Sequence, residues 1–205
     1  LKIGQDAAAE YLNRPGVRAV WWPRFERIAA WFVETERARR PDIKSIASEV
    51  LGDHVIDAPA GPFRLIAKAD RVDTLTDGTL AIIDYKTGAP PSAKEVAAGF
   101  APQLPLEAVI AEAGDFEGLH KARVSALDYW RLTGGDPAGE QKSAGKEIET
   151  LIQATRDGLQ NLIHRFDFED TPYEARPHPQ HAPRYSDYEH LARVKEWSAI
   201  TGGEE

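Results

Sequence analysis

The sequence predicts an α/β fold, a small mixed β-sheet flanked by helices, and three observations predict it. Trp21, Phe25, Ile28 and Phe32 recur at helical spacing near the start. Strand-like runs separated by an Asp77-Gly78 turn signal fill much of residues 44–86. Helical and strand patterns then alternate to residue 166, the order expected of a sheet with helices packed on it.

The first helix should cover 17–39, closing on Arg39-Arg40 before Pro41, where basic side chains meet the negative end of the helix dipole. Its aromatic stripe reads as core, with base stacking by Trp21 or Trp22 as the minority reading. Residues 44–50 and 63–75 read as strands, and 79–86 as a third. Ser92 with Glu95 forms a capping-box pattern opening a short helix. Pro102 suits the first turn of a second helix, running to Ala113 and stopped by Gly114. A strand at 122–132, the loop Gly134-Gly135-Asp136-Pro137 and a helix over 146–166 follow. Ile148, Leu151, Ile152, Leu159, Leu162 and Ile163 should form that helix's buried side. Residues 171–184 read as irregular surface chain, with His178 and His181 as loop residues rather than a metal clip. A last helix should begin near Ser186, with Glu189 in capping position.

The chain has 205 residues, 42% hydrophobic, which suits one domain with a substantial core over 1–205. It starts at Leu1 and lacks Met, so we expect a C-terminal fragment of a larger protein. It has no Cys, which excludes disulfides, thiolate zinc sites and any iron–sulfur cluster held by this chain. Nothing in it resembles a membrane span or export signal, and a cytoplasmic location is expected. The formal net charge of -8 argues against strong autonomous DNA binding, because phosphate contacts dominate such affinity.

The chemistry lies between Phe63 and Gly88, in FRLIAKADRVDTLTDGTLAIIDYKTG. Asp84 and Lys86 are two apart on a strand and share a face, while Tyr85 points away. Asp70 lies on the preceding strand. Two adjacent carboxylates repel, so such a pair calls for a divalent cation, and oxygen ligands favour Mg²⁺ or Mn²⁺. Register decides whether the trio can form. A two-residue Asp77-Gly78 loop would set Asp70 opposite Tyr85. A three-residue loop, Thr76-Asp77-Gly78, sets Asp70 opposite Asp84 and Lys68 opposite Lys86. We therefore expect the longer loop, with positive φ at Gly78. Asp73 could be a ligand, but a strand-end charge or an ion pair with Arg71 is the simpler reading.

The segments AKADRVD and IIDYKTG resemble the PD-(D/E)XK nuclease superfamily, and within it the RecB-like nuclease domains. The resemblance implies a restriction-endonuclease-like core. It also implies that Asp70, Asp84 and the Tyr85 backbone carbonyl bind metal and that Lys86 serves the attacking water. It implies a catalytic glutamine, matched by Gln103 in APQLPLEAVIA, and a glutamate on the strand before the hairpin, matched by Glu49, which supports the metal site or packs the sheet. The family usually carries a tyrosine four residues after the glutamine; here Glu107 stands there. Over nearly its full length the chain resembles the C-terminal nuclease regions of the AddB family, through WWPRFERIAAWF, PQLPLEA and YEHLARVKEW. That resemblance implies an Mg²⁺-dependent deoxyribonuclease acting on DNA ends during double-strand break repair and recombination, beside an AddA-like helicase–nuclease partner. Two departures stand out: the cysteines that hold an iron–sulfur cluster in many AddB proteins are missing, and no residue matches the early metal-site histidine. A catalytically silent module of the same fold, serving as a DNA channel or docking domain, is the alternative.

Overall fold

A computed structural model describes residues 1–174, 177, 178, 189–193 and 196. It divides the chain into two units, Leu1–Asp167 and Phe168–Glu205. In the first, helices α1 (Lys2–Ala7) and α2 (Ala9–Leu12) lead through a π-helical turn, Val17–Trp21, into α3 (Trp22–Arg39). Strands β1 (Ile43–Ile56), β2 (Phe63–Leu75) and β3 (Leu80–Lys86) follow, then α4 (Ala93–Ala97) and α5 (Gln103–Ala113). Strands β4 (Val124–Leu132) and β5 (Gly139–Ser143) and helix α6 (Ile148–Phe166) complete the unit. The second unit contains a short helix, α7 (Glu189–Ala192). Ser186, where that helix was expected to begin, and His181 lie outside the described residues.

The sheet is mixed, in the order β1-β2-β3-β4-β5, and only β3 and β4 are parallel. A parallel neighbour requires a crossover, and α4 and α5 supply it. Helices cover both faces. On one, Leu104, Ala108 and Ile110 of α5 and Ile152 of α6 pack on Val72, Leu80, Ile82 and Leu127. On the other, Trp31 and Phe32 of α3 meet Trp130 edge-on at 5.6 Å each. Beneath α3 lies an ionic network. Arg71 grips Asp73 through two hydrogen bonds (2.6 and 3.0 Å) and Glu36 through two more (2.6 and 3.1 Å), and Arg39 reaches Asp73 at 3.0 Å. Asp73 is fully buried, so it is a structural ion-pair partner of Arg71.

The hairpin has the three-residue loop. Leu75 N–H donates to the Thr79 carbonyl (2.8 Å), Thr74 pairs with Leu80 and Arg71 with Ile83, and Gly78 has φ 84°. Asp77 locks the turn by accepting from the Thr79 N–H at 2.9 Å. One irregularity sits beside Asp70. Val72 pairs β3 and faces the core, yet Ala69, three residues earlier, belongs to the same core. Strict alternation would place them on opposite faces. The facing changes where β2 runs beside Glu49, which has a left-handed φ of 56°, a conformation that costs a non-glycine residue of order 1 kcal/mol or more.

Three expectations need correction. Strand β1 runs on to Ile56, because Gly52 lets Phe116 and Ile110 close over it and the chain after α5 bonds its edge. Strand β5 falls between the expected loop at 134–137 and the expected helix at 146–166, where no element was anticipated. Leu162 was placed on the buried side of α6 but is 55% exposed, while Ile152 and Ile163 hold that side.

Candidate active site

Strand β3 delivers Asp84 and Lys86 to the α5 face, and Asp84 is 2% exposed. Lys86 Nζ sits 2.8 Å from Asp84 Oδ1, to which it donates, and 2.7 Å from Oδ2. Gln103, the first residue of α5, binds both. Its Nε2 donates to Asp84 Oδ1 (2.7 Å) and its Oε1 accepts from Lys86 (3.2 Å). The helix begins at this residue because Pro102 caps it and cannot extend it backwards.

Asp70 arrives from β2. The paired register ends with Arg71 opposite Ile83, one step short of Asp70 and Asp84. Here the carboxylate takes over part of the ladder, since Asp70 Oδ2 accepts the Tyr85 N–H at 2.9 Å. In an uninterrupted ladder that donor would go to the Ala69 carbonyl. The change of facing in β2 therefore occurs where a side chain substitutes for backbone.

The structure adds a residue that the sequence reading noted only as a departure from the family pattern. Glu107 is one helical turn beyond Gln103 and accepts from its Nε2 at 3.2 Å. It is 2% exposed. Burial, reinforced by the charges of Asp84 and Asp70, pushes its carboxyl up to about 7 against the Gln103 hydrogen bond. Tyr129 lies beside Asp84 on β4, and burial together with the charges of Asp84 and Glu107 pushes its hydroxyl up to about 12. Glu107 Oε2 and the Tyr129 hydroxyl are buried without a hydrogen-bond partner, and Asp84 Oδ2 is buried beside the Lys86 ammonium. The available signal was an acid at i+4 from Gln103, flanked by apolar residues on both sides.

Glu49 is not brought into this group. Its side chain is 64% exposed and pairs with Lys68 at 2.5 Å. Lys68, expected opposite Lys86, follows the altered facing of β2 and joins Glu49 instead. Among the described residues, no three His, Asp or Glu side chains are gathered as a preformed metal cage. The cluster of Asp70, Asp84, Lys86, Gln103 and Glu107 thus combines excess acceptor oxygens with one flexible cation. Such a group can bind a hard cation and hold a proton-transfer partner beside it.

Comparison with known proteins bears on this geometry. Residues 4–185 match the family model of the PD-(D/E)XK nuclease superfamily. An uncharacterized protein of Rickettsia bellii is 22% identical over 93% of the chain, and one of Rickettsia typhi is 28% identical over 65%. These matches cover 24% and 16% of the respective Rickettsia proteins, so the chain corresponds to a quarter or less of their length. The crystal structure of SSO0001 aligns over 77% of this chain and 68% of its own at 14% identity, with a TM-score of 0.34, too loose a match to carry weight. No described helix is long and apolar enough to cross a membrane. The match spans most of the chain and includes the strand pair that carries Asp70, Asp84 and Lys86: the chain belongs to the PD-(D/E)XK nuclease superfamily.

Proposed function

We propose that this chain is a deoxyribonuclease domain that hydrolyses phosphodiester bonds with Mg²⁺ or Mn²⁺ as its cation. The observation that supports this most directly is the buried Asp84 carboxylate, clasped by Lys86 and Gln103 on the strand next to Asp70. The donor chemistry fits the cation. Glu107 Oε2 lacks a donor, and the mutual repulsion of the acids is relieved by positive charge. Asp70, Asp84 and the Tyr85 carbonyl would hold the cation, and Mg²⁺ ordinarily keeps several waters to complete its shell. When bound, it polarises the phosphoryl group and makes water acidic enough to attack.

The chain's own residues do the rest. Gln103 fixes the rotamer of Asp84 and the position of the Lys86 ammonium by touching both. Lys86, 33% exposed, keeps enough freedom to turn from Asp84 toward a phosphate oxygen or the attacking water. There it would stabilise charge developing on the phosphorane, the kind of preorganised contact that contributes most to such reactions. Tyr85 donates its N–H to Asp70 and so holds the two acidic strands together.

At a finer level, we assign the domain to an AddB-type helicase–nuclease that trims DNA double-strand breaks in the cytoplasm, with an AddA-like subunit as partner. The net charge of -8 supports delivery of DNA by another part of such a machine. The acidic balance and the lack of a match to the early metal-site histidine support a second reading, a silent module that guides DNA without cutting it. Labelled single- and double-stranded DNA incubated with Mg²⁺, Mn²⁺ or a chelator separates the two. Cleavage that requires the divalent cation supports the nuclease; intact DNA under every metal condition supports the silent module.

A further inference from the structure

At the end of β3 where Lys86 lies, the opposite face of the sheet opens into an apolar groove of about 450 Å³. Leu12, Val17, Trp22, Phe25 and Ile28 line it, and Thr87, the residue after Lys86, forms part of its wall. The groove is within the size range of small-ligand sites. Its rim carries Trp21, which is 63% exposed, with Arg24 over the ring at 5.8 Å. Large aromatic side chains of the following helix α3 are used in packing: Trp31 and Phe32 meet Trp130. Trp21 is not used in that way.

Charge is distributed unevenly around the groove. Residues 1–40 hold eight basic and five acidic side chains in a chain whose formal net charge is -8. Arg14, Arg18 and Arg24 are exposed and make no ion pair among the described residues. Exposed aromatics interleaved with unpaired arginines are the physical requirement for holding single-stranded nucleic acid. Bases stack on the rings because every base has a π-face, and arginines meet the phosphates. Duplex DNA keeps its bases stacked on each other and has none to offer the groove.

We propose that this groove binds an unpaired base of single-stranded DNA, with Trp21 as its stacking platform and Arg14, Arg18 and Arg24 as phosphate contacts. The groove and the Asp84–Lys86 cluster share one end of β3, so a strand held at Trp21 can pass over that end to the acidic site. The assignment deepens the nuclease reading and rests on it for the identity of the strand.

The test is fluorescence anisotropy of a labelled oligothymidylate with the full 205-residue chain, in chelator at low salt, where binding is read without cleavage. The wild-type chain should prefer the oligothymidylate to a blunt duplex. Trp21→Ala should weaken binding about ten- to a hundred-fold, the loss expected for one stacked base. Trp21→Phe should restore most of it, since a ring is still present. Trp21 is exposed, so neither change should lower the melting temperature, which is measured alongside. Unaltered binding by Trp21→Ala overturns the proposal, as does a wild-type chain that does not bind the oligothymidylate. Loss of self-association on Trp21→Ala, seen by sedimentation with no change in DNA affinity, also overturns it and makes a second copy of the chain the occupant. Trp21-dependent binding by a chain that never cleaves DNA leaves the groove assignment standing and removes the nuclease reading alone.

Discussion

Replacing Glu107 with Gln should flatten the pH dependence of this protein's stability. The carboxyl is buried beside Asp84 and Asp70, and its affinity for a proton rises from the ordinary glutamate value of 4.5 to about 7. A raised carboxyl binds its proton more tightly in the folded chain than in the unfolded one. Its contribution to stability is therefore fully present below about pH 4.5 and is lost as pH rises through about 7. The shift of about 2.5 pH units corresponds to about 3 kcal/mol, a large share of the 5–15 kcal/mol typical of a folded domain. Gln cannot ionise and keeps a similar shape, so Glu107→Gln removes this dependence. Urea unfolding in chelator at about pH 4.5 and about pH 8 measures it. Wild type should lose about 3 kcal/mol more than the variant between those conditions. Parallel stability curves would refute the reasoning and place Glu107 in contact with water.

Other consequences follow from the same structure. Asp73→Ala removes the acid that holds Arg71 and Arg39 under α3, and urea unfolding should show a loss of about 3–5 kcal/mol, while Asp53→Ala, at an exposed pair with Arg64, should cost far less. Equal effects at the two sites would show that the network is not buried in solution. Gly78→Ala should cost about 1 kcal/mol, because the added Cβ meets open space and only the positive φ is strained; no loss would argue against the three-residue loop. DNA binding by the isolated chain should be weak and should fall with added salt, and a tight complex that survives high salt would contradict the electrostatic reading.

The hairpin was the most legible part of the fold, because Asp77-Gly78 and alternation in β2 act locally. Its three-residue loop followed from asking which register puts Asp70 opposite Asp84. Gln103 was legible as a helix start after Pro102, and the structure brings it to Asp84 and Lys86. Strand β5 was not legible, since GEQKS is an edge strand whose polar side chains give no alternation signal. The extension of β1 depends on Gly52 packing under Ile110 and Phe116, residues almost sixty positions away or more. Glu107 was read only as a departure from a family pattern, because its burial is decided by tertiary packing of α5 against the sheet. Lys68 was misplaced for a related reason: strict alternation assigns it to the face of Lys86, and the left-handed backbone at Glu49 breaks that alternation. Glu49 itself was tied to the site by family resemblance alone, and it pairs with Lys68 instead.

The central claim is that Asp84 and Lys86 form a hydrolytic centre. The most direct measurement is the rate of divalent-cation-dependent cleavage of labelled DNA by the wild-type chain and by Lys86→Ala, each first shown to melt at the same temperature. The account predicts cleavage by wild type and a loss of about a hundred-fold or more in the variant, the scale of removing one charge-stabilising contact. A folded Lys86→Ala variant that cuts at the wild-type rate would contradict it.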